Sequence, residues 1–257
     1  MNVIVTGAGR NKGIGAEICR VLSKSGDNIY FTSYDQYDIE VGGIRLADYI
    51  LTKQECSNNG QSVYFDIFDL SYEKGVKALF DDATTKLGQI DALVNCLCYH
   101  KYDSFGIIDE TELDNNYRVN VKAILLLCQE FYLRFNGKKG SIINLSSMQH
   151  LQPLYNEISY ATTKASIPII SSTLSLIMAK KNININSVNP GFTDIGDANE
   201  IDSQLLFKKA NSFGRTGAPS DVANIVKFLL SEEGKWITGQ SIDSEGAIYR
   251  SLTECPF

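Results

Sequence analysis

Short runs of β-branched and aromatic residues alternate along this chain with longer stretches whose apolar positions recur every three or four residues. The runs NVIVTG (2–7), NIYFTSY (28–34), SVYFDIF (62–68), IDALVNC (90–96), GSIINLSS (140–147), NININSVNPG (182–191) and SIDSEG (241–246) predict seven strands. Helical periodicity fills the gaps over 14–26, 72–88, 113–135, 159–181 and 218–232. The strand runs are nearly continuous in apolar residues rather than alternating, which signals burial on both faces.

Such an alternation belongs to the α/β class, a parallel sheet with helices on both faces. Built from two βαβ halves it is a Rossmann-type doubly wound sheet, here of about seven strands, with ligands beyond the carboxyl ends of the strands. No repeat, low-complexity tract or linker divides residues 1–257, so a single domain is expected. Two segments break the rhythm. Residues 34–60 make an unusually long link after the second strand, expected as loop and then helix. Residues 192–213 follow Asn-Pro-Gly at the open end of the sheet and are expected to close over a substrate.

A chain of 257 residues with 44% hydrophobic residues can build a real core. The net charge of −6, without a dense run of Lys or Arg, excludes nucleic acid and anionic membranes as the main partner. No apolar run is long enough to span a bilayer, and no basic flank precedes the apolar N-terminal run, so a cytoplasmic protein is expected. The six cysteines form no framework and are expected as reduced thiols. Cys96-x-Cys98 has no second ligand pair, and the chain holds two histidines, so no metal site is expected.

The first strand runs into VTGAGRNKGIGAEI, where Gly7, Gly13 and Gly15 permit a tight turn and close approach of the backbone to a pyrophosphate. At the first crossover of a parallel sheet this predicts a dinucleotide site. Further along, Tyr160 and Lys164 stand four apart in a helical stretch and so share one face. That spacing alone does not separate chemistry from packing.

The order of motifs does. TGAGRNKGIG, FDIFDL, LVNC, Asn120 in YRVNVKA, INLSS, YATTK, VNPG and the tail GRTGAPSDVANIVKFLLSEEGKWITGQSIDSEG occur in sequence over essentially the whole chain. In these the chain resembles the short-chain dehydrogenases/reductases, most of all the bacterial 3-oxoacyl-acyl-carrier-protein reductases. The resemblance implies a catalytic set of Asn120, Ser147, Tyr160 and Lys164, with Ser147 thirteen residues before the tyrosine. It implies that Ser147 binds the substrate oxygen, Tyr160 transfers the proton, Lys164 holds the nicotinamide ribose and favours the phenolate, and Asn120 anchors a relay water. The physics agrees: free tyrosine titrates near ~10, and an ammonium within ~4–6 Å shifts such a group by about 1–3 units. The implied cofactor contacts are Gly7, Arg10, Lys12, Gly13, Ile14, Gly15, Ser33, Asp66, Ile67, Asn95, Tyr160, Lys164, Pro190, Gly191 and Thr193.

The chain departs from the pattern in places. The glycine turn carries one extra residue around Arg10, Asn11 and Lys12, and Cys98 stands where the family has a glycine. Ile195 replaces a threonine expected to grip the carboxamide, which leaves Thr193 as a substitute. Pro168, four residues after Lys164, predicts a kink in the catalytic helix. By family pattern the residue facing the adenosine ribose is Ser33, which leaves room for a 2′-phosphate beside Arg10 and Lys12 and favours NADP, with NAD open through Asp35. Asp66 is expected at the adenine, against a helix-capping role.

The resemblance thus implies an NADP(H)-dependent oxidoreductase acting on a small ketone or secondary alcohol, with a 3-oxoacyl thioester and an acyl carrier protein as candidates. Arg118, Lys122, Lys208 and Lys209 are the cations that would meet an acidic carrier. Competing readings are an NAD-dependent alcohol or sugar dehydrogenase and a non-catalytic dinucleotide sensor. Enoyl reductases place six residues between the tyrosine and the lysine, which would put the tyrosine at position 157, and residue 157 is Glu. A homodimer or homotetramer is expected from the helices over 113–135 and 159–181, which are apolar on more than one face.

Overall fold

The computed structural model describes residues 1–34, 46–58, 60–150, 155–196 and 211–247. Its seven strands are β1 (Asn2–Thr6), β2 (Asn28–Ser33), β3 (Val63–Ile67), β4 (Ala92–Asn95), β5 (Gly140–Leu145), β6 (Ile183–Asn189) and β7 (Ser241–Asp243). They form one sheet in the order β3-β2-β1-β4-β5-β6-β7, every pairing parallel. The order reverses between β1 and β4, the switch point at which doubly wound sheets bind ligands.

Each central strand divides its side chains between two cores. Val3 and Val5 of β1 enter one cluster with Ile18, Val94 and Val226, while Ile4 enters the other with Leu93, Phe80, Leu127 and Ile142. Successive side chains point to opposite faces, so a strand buried on both must be apolar throughout. That is why these runs showed no alternation. The helices covering the first face are α1 (Ile14–Lys24) and α8 (Pro219–Leu230); α3 (Glu73–Leu87) covers the second. The long link after β2 contains α2 (Leu46–Ser57). Two residues past the end of α1, Gly26 with φ of 95° lets the chain turn back toward β2.

Both long predicted helices are interrupted. The stretch over 113–135 becomes α4 (Glu110–Tyr117), a π-helical segment Arg118–Ala123, and α5 (Ile124–Arg134). The stretch over 159–181 becomes α6 (Ile158–Lys164) and α7 (Ser166–Met178), interrupted at Ala165, just past Lys164. The break places Pro168 in the first turn of a new helix, where its missing N–H costs nothing. Of the expected substrate lid, residues 197–210 lie outside the described residues.

Candidate active site

The glycine-rich turn joins β1 to α1 at the switch point. Gly7 has φ 68° and its exposed backbone passes so close to the next segment that a Cβ would lie 2.6 Å from Leu97 Cα. A Cβ on Gly15 would lie 2.6 Å from the Gly7 carbonyl oxygen. Gly13 caps α1, and Gly13 N donates to Arg10 O at 2.9 Å to close the turn. The backbone cradle and the helix end behind it fit a pyrophosphate; Ile14 opens the helix, half-buried.

The extra residue of this turn has a structural home. Asn11 Nδ2 donates to Thr52 Oγ1 (3.0 Å) and Glu55 Oε2 (3.1 Å) of α2, and Arg20 bridges Glu17 (2.8 Å) and Glu55 (2.7 Å) while donating to Asn11 O. Asn11 is thereby turned onto α2. Arg10 and Lys12 have no ion-pair partner among the described residues. A cleft of about 500 Å³ opens between this turn and the segment after β6, lined by Lys12, Arg20, Asp194 and Gly196 among others.

The strand ends supply the other expected contacts. Ser33 closes β2 and is buried, with no carboxylate in its place; Asp35 lies outside the described residues. Asp66 is exposed at the end of β3, its carboxylate accepting from Ile67 N at 2.8 Å. It caps no helix: the carboxylate bent onto the turn before α3 is Asp69, which accepts from Ser71 N at 3.0 Å. Asn95 is fully buried; its Nδ2 donates to Asn144 Oδ1 at 2.8 Å, and its Oδ1 has no partner among the described residues. Cys98 fits without strain, since Asn182 and Ala247 are the non-glycine residues with positive φ among those described. After β6, Gly191 at φ 60° packs against Glu245, and Thr193 Oγ1 donates to Pro190 O at 2.8 Å. The Thr193 hydroxyl proton is thus committed to the turn, and a carboxamide could use only the oxygen as acceptor.

Ser147 lies two residues past β5, largely buried. Tyr160 and Lys164 share one face of α6, and Lys164 is buried with Nζ donating to Leu145 O at 2.5 Å, which ties it to the strand end carrying Ser147. Burial pushes the Lys164 ammonium below the usual lysine range. Asn120 sits in the π-helical segment, fully buried. Its Oδ1 accepts from Tyr99 N (2.8 Å), and its Nδ2 faces Tyr99 O (2.9 Å), Thr163 Oγ1 (3.1 Å) and Asn116 Oδ1 (3.2 Å). Both amide hydrogens are therefore committed within the protein. The side chain clamps the loop after β4 to α6.

The other end of that loop is clamped as well. Asp103 accepts from Ile158 N (2.6 Å), Ser159 N (3.0 Å) and Ser159 Oγ, capping α6 from 55 residues away, while Asp103 N donates to Asn156 O at 3.0 Å. Between the clamps His100 sets its ring edge-on to Tyr160, centroids 4.8 Å apart, with Nε2 3.5 Å from Glu157 Oε2. Gln149 Nε2 donates to the same carboxylate. None of Asp103, His100, Gln149 and Glu157 was expected from sequence; the one signal was a histidine just past the fourth strand in a chain with two.

A parallel doubly wound sheet with a glycine cradle at its switch point, and a Tyr–Lys pair beside a strand-end serine, defines an oxidoreductase of the nicotinamide-dependent class. Residues 7–246 match the family model described as enoyl-(acyl carrier protein) reductase, and the chain belongs to the short-chain dehydrogenase/reductase family. It is 35% identical over 250 residues to the uncharacterized oxidoreductase YjdA of Bacillus subtilis, covering 96% of each chain. It is 28% identical to the 3-oxoacyl-acyl-carrier-protein reductase FabG of Chlamydia trachomatis, covering 95% of this chain and 96% of that one. Among solved structures it superposes on a Serratia marcescens short-chain dehydrogenase/reductase variant with TM-score 0.87 at 22% identity, over 96% of this chain and 97% of that one. It superposes on the angucycline C-6 ketoreductase LanV with bound NADP with TM-score 0.86 at 25% identity, over 97% and 95%.

Proposed function

We propose that this chain reduces a small ketone with NADPH, or oxidises the matching secondary alcohol with NADP⁺. The observation that carries the cofactor choice lies beside the glycine turn, where β2 ends in Ser33 rather than an acid and the Arg10 and Lys12 cations have no ion-pair partner among the described residues. A carboxylate at Ser33 would repel a 2′-phosphate, whereas the Arg10 and Lys12 cations attract it. LanV, a relative in fold, was solved with NADP.

A nicotinamide held by the glycine cradle and Lys164 would supply or accept the hydride. The protein's part is proton and charge. Ser147 holds the substrate oxygen, and Tyr160 gives its hydroxyl proton to that oxygen as it becomes an alkoxide. Lys164, buried and fixed on Leu145 O, would hold the nicotinamide ribose and stabilise the phenolate left behind. Asn120 works by clamping Tyr99 to Thr163, which holds the loop and helix in register. The Tyr–Lys spacing of four sets the chain apart from the enoyl reductases. Of the cations that would meet an acidic carrier, Arg118 is paired with Asp114 at 3.1 Å on the surface and Lys122 lies over the Tyr72 ring, while Lys208 and Lys209 fall outside the described residues.

Fluorescence titration with each reduced cofactor tests the proposal without knowledge of the substrate. Charge-assisted hydrogen bonds of ~1.5–3 kcal/mol from Arg10 or Lys12 predict roughly ten- to hundredfold tighter binding of NADPH than NADH. Lys12→Ala is expected to narrow the gap. Tighter NADH binding by the unaltered protein would make Asp35 the ribose ligand and overturn the reading.

A further inference from the structure

We infer that His100, Glu157 and Gln149 form a hydrogen-bonding wall beside Tyr160 that selects substrates carrying a second oxygen near the reacting carbon, such as 1,2-diones and 2-hydroxyketones. This rests on Tyr160 being the proton donor. Three separate segments converge here: the loop after β4, the chain two residues past Ser147, and the lead-in to α6. All three lie on the carboxyl side of the sheet, where a doubly wound fold presents its ligands.

The loop after β4 is built to hold His100 in place. Asn120 grips Tyr99 by both its N–H and its carbonyl, and Asp103 grips the first turn of α6. The imidazole is fixed between two aromatic rings, Tyr160 at 4.8 Å and Tyr102 at 4.9 Å, both edge-on. Glu157 stands behind it at 3.5 Å, largely shielded, and orients one ring nitrogen.

Gln149 supplies an independent sign of a ligand. It is 8% exposed, its amide nitrogen is spent on Glu157, and its Oε1 has no partner among the described residues. A buried amide oxygen left unmet costs free energy that a hydroxyl donor would recover. A hydrocarbon wall would suit a simple ketone. This wall sets donors and acceptors around an imidazole that lies against the Tyr160 ring, and none of it is needed for proton transfer to a lone carbonyl.

The test compares kcat/KM for butane-2,3-dione and butan-2-one, with NADPH and with NADH, in the unaltered protein, His100→Phe and His100→Gln. A site built to hydrogen-bond a group rejects the analogue lacking it by well over ~10-fold. The dione is therefore expected to be preferred at least ~10-fold by the unaltered protein. His100→Phe, which keeps the ring contact with Tyr160, is expected to erase most of that preference, and His100→Gln to keep part of it. Turnover of both ketones with a ratio unmoved by His100→Phe overturns the inference while leaving the reductase reading intact. Absence of turnover of the dione, with another ketone reduced in a carbonyl screen, overturns the inference alone; absence of turnover of every ketone in that screen with either cofactor overturns the two together.

Discussion

At the scale of the residue, the most consequential group is Lys164. A lysine placed in a nearly closed site, 3% exposed, has given up water for one carbonyl oxygen. Burial lowers its pKa, so the folded state releases this proton at a lower pH than the unfolded chain does. Between the lowered value and the ordinary one near ~10.4 the unfolded chain binds the extra proton, and stability rises with pH. Below that window the buried charge is a standing cost. Lys164→Met is therefore expected to flatten the rise when thermal unfolding of the cofactor-free protein is followed from pH 7 to 10. The same variant is expected to lose turnover by ~10²-fold or more. An unchanged pH slope would show that the ammonium is better solvated than its burial indicates.

At the scale of the element, α6 depends on a residue outside it. The helix has seven residues, its own position before the first turn is Glu157 without a capping contact, and Asp103 does the capping from the far loop. Such a cap contributes ~0.5–2 kcal/mol. Asp103→Ala is expected to lower the melting temperature by that measure and to reduce kcat with NADPH affinity unchanged, and Asp103→Asn to restore most of both. Loss of stability without any fall in kcat would separate the cap from the chemistry. The strands, the helix α1 and the Tyr160–Lys164 spacing were legible in sequence because each follows from a local period or a fixed offset. The contacts of Asp103, Asn120 and His100 were not legible, since each joins residues that lie 21 to 60 apart or pairs them through a π-helical turn that no periodicity signals. Asn95 shows the same limit: its position at the strand end was plain, but the turn of its amide toward Asn144 is a matter of packing.

For the whole molecule, α5 and α7 present apolar side chains that the sheet does not use. Leu133 is 63% exposed, Ile169 68% and Leu176 75%. Covering such a face with a second copy removes this surface from water, at ~25 cal/mol per Å². We expect a homodimer or homotetramer through these helices, and Leu176→Glu is expected to weaken it. Light scattering that shows a monomer at micromolar concentration would contradict the expectation. Among the described residues no helix is long and apolar enough to cross a membrane.

The central claim is that Tyr160 transfers the proton in a nicotinamide-dependent carbonyl reduction. The measurement is turnover by Tyr160→Phe on the ketone that a carbonyl screen shows to be reduced fastest, with NADPH affinity measured on the same preparation. Removing one hydroxyl from a shared helical face leaves Lys164 and the glycine cradle in place, so NADPH affinity is expected to be unchanged. General acid catalysis contributes ~10²–10⁴-fold, and kcat is expected to fall by that factor. Full turnover in the phenylalanine variant, with the cofactor still bound, would contradict the account.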